Sequence, residues 1–504
     1  MQLSSEVAYK KKTENIFNNN NKDSSKGTSI LNKLKSFIKA KPILFTLIVA
    51  GSLAIITTAI AVPVALATKN KEDSKDDIII NKSQDDDSEE IYNHIVYINN
   101  KKDFDFSSSS NNFIETSYNN IGENANSLDN FCTYLKGIAS TLDEQDKVYF
   151  IYKWVAENIE YDYENYKAKK SVDCIPANVL TNRKTVCSGY ARLFTHLLKC
   201  LNYDETKIIN IMGHSKGLGF NVNEEIKDEE TDHEWNAVII GDKGCLIDTT
   251  WGAGSIMDDA FQPLYTEYYL CTPPSQFVRK HLPIQSEKQY QFLENPIDIN
   301  TFKNMALTQN DFFEYGFVGL AYDQAIQNIC GDGSLILKYN SDIKPKLSIH
   351  LKKESTDYEN WFMENRITNG FRINFYINEA GEYDLQLFAK PGQSNDYYWE
   401  IVSFKIKCDT SPNEKKYFPI NYRCRDNNDC SSNFELISPI TNELIKGNKY
   451  NFKVKSSFDK LYLDNNEDRI EMDKEGMYFI KNEVIIDSNY LYISFKKDKI
   501  YYHT

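Results

Sequence analysis

Cys187, His233 and Asp248 follow one another in the order that a thiol nucleophile, the base that takes its proton and the carboxylate that orients the base require. Such a set attacks a carbonyl carbon and holds the acyl group as a thioester. Each residue alone has a plainer reading: a small buried cysteine, a capping histidine, a turn aspartate. Their surroundings favour chemistry. Cys187 stands within Thr185-Val186-Cys187-Ser188-Gly189-Tyr190-Ala191, at the start of a helix whose buried stripe is Tyr190, Ala191, Phe194, Leu197, Leu198 and Leu201. A thiol in that place meets the helix's N-terminal amides, which favour the thiolate. Gly189, in the first turn, lets another backbone come close. Trp235 and Trp251 flank His233 and Asp248.

The elements that must hold these groups are legible as a change of period. Lys147 to Ile159 puts apolar residues at 148, 151, 154, 155 and 159, the spacing of an amphipathic helix, and a second helix is expected from about Ser188 to Leu201. Alternation then takes over in residues 208–212, 235–240 and 245–248, with Gly241-Asp242-Lys243-Gly244 as the turn of a hairpin. Helices first and antiparallel strands second make an α+β plan. If Gly241 pairs with Gly244, Asp248 lies opposite Ala237, on the same face as His233 but four residues along. In a flat sheet that offset is about 13 Å, so twist, a bulge or another register must close it.

Blocks spread over about 100 residues carry a family resemblance. They are Trp154-Val155-Ala156-Glu157-Asn158-Ile159 with Tyr161-Asp162, Asn182 through Ala191, Gly213-His214-Ser215-Lys216-Gly217, His233-Glu234-Trp235-Asn236 and Asp248-Thr249-Thr250-Trp251-Gly252. Together they resemble the transglutaminase-like superfamily, in its kyphoscoliosis-peptidase branch. The resemblance implies a papain-like core with Cys187 as nucleophile, His233 as general base and acid, and Asp248 as orienting carboxylate. Tyr269-Leu270, Pro273-Pro274 and His281-Leu282-Pro283 resemble the segment after the core in that branch, and Gly381-Glu382-Tyr383-Asp384-Leu385 and Leu436-Ile437-Ser438-Pro439 its C-terminal β domains. The chain departs from the pattern at Thr185, where many relatives have Gly; a branched residue there would narrow the cleft. The backbone N–H of Cys187 is the expected first oxyanion donor, by analogy with thiol proteases.

Other chemistry finds less support. Cys424 and Cys430 lack a second ligand pair at zinc spacing, no phosphate-cradling Gly-rich loop with a following Lys-Ser/Thr is present, and Asp464, Asn465, Asn466, Glu467 and Asp468 read as a solvated turn. No cofactor and no metal are expected. Trp154 reads as core, Arg183 and Lys184 as surface charges, and His214 as a solvated loop histidine. A net charge of −14 provides no basic surface for nucleic acid.

The mean hydropathy of −0.53 hides one apolar run. Residues 43–67 contain no charge and at 1.5 Å per residue reach roughly 37 Å, enough for a single transmembrane helix. Ala65-Leu66-Ala67 resembles a processing site, but the run exceeds a usual signal peptide's and some 40 residues precede it. Nine lysines lie before the span and the acidic run 85–90 after it, which keeps the N-terminus cytosolic and sends the rest to the lumen or outside. All ten cysteines follow the span, and Cys424 and Cys430 are the best local disulfide candidates.

The expected organisation is a cytosolic disordered basic tail (1–41), the transmembrane helix (43–67), a polar and acidic stalk (68–125), a transglutaminase-like core (126–275), a connecting segment (276–310) and two β-sandwich-like domains (311–408 and 409–504). Two functions fit. One is a membrane-anchored thiol enzyme acting on a protein amide, resolved by water as a peptidase or by an amine as a transglutaminase, with hydrolysis preferred because the branch name implies it. The other keeps the fold without catalysis, as a scaffold or adhesion module binding protein partners through the β domains.

Overall fold

The computed structural model describes residues 95–98, 103–106, 112–340, 342–392, 397–422, 434–465, 468–487, 490–495 and 498–503. The basic tail, the apolar run 43–67 and the pair Cys424 and Cys430 lie outside them. Among the described residues no helix is long and apolar enough to cross a membrane. The chain divides into two units. One comprises 1–82 and 255–262, its described part being most of a hairpin of Gly254–Met257 and Ala260–Pro263 turned at two positive-φ residues, Asp258 and Asp259. The other, 83–254 and 263–504, contains everything below.

The α+β core packs helices on a four-stranded antiparallel sheet, and three of the helices frame the site. Helix α1, Glu144–Asn158, starts where the Asp143 side chain accepts the Asp146 amide at 2.8 Å, and it buries Val148, Phe150, Ile151, Trp154 and Val155. Helix α2, Cys187–Cys200, buries the whole expected stripe. Helix α3, Thr249–Ala253, follows the sheet's hairpin. The sheet runs β3-β2-β1-β4, with β1 Ile208–Ser215, β2 His233–Ile240, β3 Lys243–Ile247 and β4 His281–Pro283.

The strand runs beyond residue 312 form three sheets. A six-stranded sheet includes Lys346–Lys353, Gly381–Lys390 and Trp399–Cys408; a five-stranded one includes Tyr462–Asn465 and Tyr490–Phe495. The third has nine strands and passes through both expected β domains, joined where Phe362–Ile367 meets Phe434–Ser438 at Arg366↔Phe434. One buried cluster unites Phe452, Val454 and Phe479 of this sheet with Leu463, Leu491 and Ile493 of the five-stranded one, a sandwich core.

Two expectations about the linking segments change. Part of the expected stalk is folded: Ile95–Tyr97 pairs with Phe317–Ala321, and Asn112–Asn119 is a helix whose Ile114 is fully buried. Within the expected connecting segment, Leu307–Thr308 is an edge strand on Trp399–Cys408. In both places a few apolar residues among polar ones suffice to seat a short element.

Candidate active site

A short relay sets the start of α2. The helix Pro176–Asn182 ends at Arg183, which takes a left-handed conformation (φ 57°), and Lys184–Thr185 then pairs in parallel with Glu160–Tyr161. Amides of Glu160 and Asp162 donate to the carbonyls of Arg183 and Thr185, at 2.8 Å each. The chain thus enters α2 extended, and Cys187 is its first residue. Among the described residues no side chain caps this end, which leaves Cys187 N–H, one of the first amides that lack an intrahelical acceptor, without a side-chain cap. Thr185 does not narrow the cleft. It is fully buried, its Oγ1 donates to Asp173 O at 2.9 Å, and it occupies the space of the missing Gly189 side chain: a Cβ there would stand 1.9 Å from Thr185 Oγ1. What Gly189 admits is this side chain rather than another backbone.

The hairpin closes the gap between base and acid. Ile240 pairs with Lys243 across a two-residue turn with Gly241 at φ +63°, and the ladder runs on to Asn236↔Ile247. Extended by one residue, that register sets Asp248 opposite Trp235, two residues from His233 instead of the expected four. Asp248 then leaves the strand as the N-cap of α3, its Oδ1 accepting the amides of Thr250 and Trp251 at 2.8 and 2.9 Å. Its other oxygen, Oδ2, accepts His233 Nε2 at 2.7 Å. The Cys187 sulfur lies close enough to His233 to add to the rise in its pKa, and with Nε2 turned to Asp248 the ring nitrogen left for a thiol proton is Nδ1. All three expected residues therefore meet in one site.

A fourth residue joins them that sequence reasoning left without a role. His281 Nε2 reaches the same Asp248 Oδ2 at 2.9 Å, and its ring stacks on Phe277 with centroids 4.0 Å apart. Its signal in the sequence was the block His281-Leu282-Pro283, which resembles the segment after the core in the kyphoscoliosis-peptidase branch and carried no role of its own.

Burial and partners set the charges. Burial opposes a charged His233, but Asp248 and then Cys187 outweigh it and raise its pKa well above the usual histidine range. Burial would likewise raise Asp248, yet the two imidazoles hold its carboxyl well below the usual carboxylate range. For His281 burial wins and lowers the pKa to about 4. Tyr161 and Tyr166 stand on the thiol's side, their rings 5.8 Å apart, and both phenols are pushed up by burial and by negative charge that includes the Cys187 sulfur.

Three other expectations resolve. Arg183 is no plain surface charge: its guanidinium lies 4.7 Å over the Trp154 ring and donates to Ala125 O at 2.7 Å. His214 is buried in β1, next to the Gly213 that opposes His233, so it projects from the other face of the sheet. Trp235 and Trp251 pack on His233 at 5.9 and 5.4 Å. Among the described residues two groups have metal-ligand spacing, Cys132/His196/Cys200 and His233/Asp248/His281. In the first, Cys132 and Cys200 form a disulfide; in the second, the ligand atoms are hydrogen-bonded to one another.

Comparison with known proteins gives the families that this chain resembles. Residues 133–249, containing Cys187, His233 and Asp248, match the family model of the transglutaminase-like superfamily; residues 299–419 match that of a KY-like, immunoglobulin-like domain. Over 266 residues the chain is 27% identical to the kyphoscoliosis peptidases of Mus musculus and of Homo sapiens, covering 52% of this chain and 38% of each relative. Hillarin of Drosophila melanogaster is 22% identical over 267 residues, 46% of this chain and 32% of that protein. The chain thus spans less than two fifths of the length of these relatives. It resembles the kyphoscoliosis-peptidase branch, with a transglutaminase-like core followed by immunoglobulin-like β domains.

Proposed function

We propose, from a transglutaminase-like core that resembles the kyphoscoliosis-peptidase branch, that this chain is a thiol enzyme acting on amide carbonyls of protein substrates. The observation that carries the reading is Asp248 Oδ2 at 2.7 Å from His233 Nε2, with the Cys187 sulfur near enough to the same imidazole to raise its pKa. An ionised Asp248 only accepts hydrogen bonds, so His233 carries its proton on Nε2 and offers Nδ1 as a base. Cys187 gives its proton to Nδ1, a transfer that the raised pKa of His233 favours, and the thiolate Sγ of the resulting ion pair attacks the carbonyl carbon. The resulting oxyanion lies at the uncapped start of α2, where Cys187 N–H has no intrahelical acceptor and serves as its donor. His233 then returns the proton to the leaving amine as the C–N bond breaks, which leaves a thioester on Cys187. Water resolves the thioester with His233 again taking a proton, and collapse expels the thiolate and releases the acid. An amine in place of water would form a new amide; hydrolysis is preferred, in keeping with the relatives' name. We further assign residues 43–67 as a single membrane anchor, with the enzyme on the lumenal or outer side.

Alkylation tests the chemistry. Iodoacetamide applied to the full-length chain is expected to modify Cys187 well before Cys174, and His233→Ala is expected to abolish that preference, as peptide mass spectrometry would read. Equal rates at the two thiols, unchanged by the substitution, would rule out a thiol enzyme and leave the scaffold reading.

A further inference from the structure

We propose that His281 is a positioning residue of this thiol site: its donated Nε2–H fixes the Asp248 carboxylate in the orientation that holds His233 with Nδ1 free for the Cys187 proton. The proposal rests on the thiol-enzyme reading above. Residue 281 lies outside the stretch that matches the transglutaminase-like superfamily.

A carboxylate has about four lone-pair sites, and Asp248 fills all of them. Oδ1 receives the amides of Thr250 and Trp251, and Oδ2 receives the two imidazoles. So saturated, the group has no second orientation of equal energy. Without His281, half of Oδ2 is empty and the contact with His233 is the only one on that oxygen. The geometry also fixes the state of His281. Its Nδ1 is buried and has no hydrogen-bond partner among the described residues, so a proton there would be an unsatisfied buried donor. The ring is therefore neutral with its proton on Nε2, aimed at Asp248.

The protein fixes the ring from three sides. Phe277 stacks on it, Trp251 lies 4.4 Å and Trp235 5.3 Å away, and Ser215 of β1 pairs with His281 along the backbone. Just before it, Arg279 makes a two-pronged ion pair to Asp323, both contacts 2.6 Å, and donates to Thr308 Oγ1 at 2.8 Å. Lys280 reaches Gln309 at 2.8 Å. Thr308, Gln309 and Asp323 all belong to the segment that matches the immunoglobulin-like domain, so that domain sets the position of a side chain touching the triad.

A merely structural histidine would make the same contacts, and two substitutions separate the roles. His281→Phe suits the aromatic surroundings but removes the donor; His281→Gln keeps an N–H donor but packs poorly. Using the full-length chain, iodoacetamide rates at Cys187 are expected to rank wild type, then His281→Gln, then His281→Phe, the last slower by about tenfold or more, as for partners that orient a catalytic ligand. Thermal stability is expected to order the two variants the opposite way. The proposal is overturned if His281→Phe matches the wild-type rate, or if His281→Gln is no faster than His281→Phe. Should His281→Phe fail to fold, nitrogen NMR of histidine-labelled wild type, with the His281 signals assigned by their loss in His281→Gln, decides: a neutral Nε2–H tautomer of His281 at pH 6 supports the proposal, and a cationic or Nδ1–H His281 overturns it. Failure of the underlying reading appears elsewhere, in wild-type Cys187 reacting no faster than Cys174, and takes this proposal with it.

Discussion

His233 and His281 donate to one oxygen of Asp248 yet titrate in opposite directions. His233 gains a carboxylate and a thiol as partners, so its folded pKa is raised; the stability it contributes is fully present below its unfolded pKa of about 6.5 and is lost as pH rises through the folded value. His281 is lowered to about 4 by burial. Between about pH 6.5 and 4 the unfolded chain binds a proton at residue 281 that the folded chain refuses, so stability falls with pH across that window, by roughly 3 kcal/mol in all. The His233 contribution is constant there, already at its maximum. The Asp248 contribution, from a depressed pKa, is lost only below the usual carboxylate range. Melting temperatures of the wild type are therefore expected to drop from pH 6.5 to 4 more steeply than those of His281→Phe; parallel curves would mean that His281 protonates freely in the fold. Of these residues the sequence announced three, because order and flanking motifs mark Cys187, His233 and Asp248. His281 was mute: it lies 33 residues past Asp248, and its role exists only once β4 pairs with β1.

Elements proved more legible than the contacts between them. Periodicity marked α1, α2 and the strands of the hairpin, since each buries one face. The register was misjudged by two residues because Gly241-Asp242-Lys243-Gly244 allows two turns of equal length, and the observed one, with its positive φ at Gly241, suits the strands' twist. The role of Gly189 was also hidden, since sequence spacing does not tell that Thr185 folds back onto it. A Cβ at 189 would lie 1.9 Å from Thr185 Oγ1, so Gly189→Ala must push Thr185 off its bond to Asp173. The expected loss is about 1–3 kcal/mol in urea denaturation. Combining it with Thr185→Ala is expected to recover part of that loss, a coupling that additive single changes would disprove.

Across the whole molecule, the disulfides bear on where the chain resides. Cys132–Cys200, Cys245–Cys271 and Cys330–Cys408 are paired, and the free thiols among the described residues are Cys174 and Cys187. Three bridges suit an oxidising compartment, as the proposed topology requires. Protease added to sealed membranes from the cytosolic side is expected to spare the β domains; their digestion would reverse the orientation. The β modules were foreseeable as strand runs, but their shared nine-stranded sheet was not, because strand partners far apart in sequence leave no local mark. One consequence of the carboxylate at 248 reaches the whole chain in genetic terms. Asp and Asn codons differ by a single base. Asn at 248 could still cap α3 through its amide oxygen, so the fold would survive. Its NH2 group, however, would face two imidazole N–H groups; to accept it, His233 would have to move its proton to Nδ1, where it can no longer take one from Cys187. A single transition would thus separate the proposed enzyme from a correctly folded scaffold.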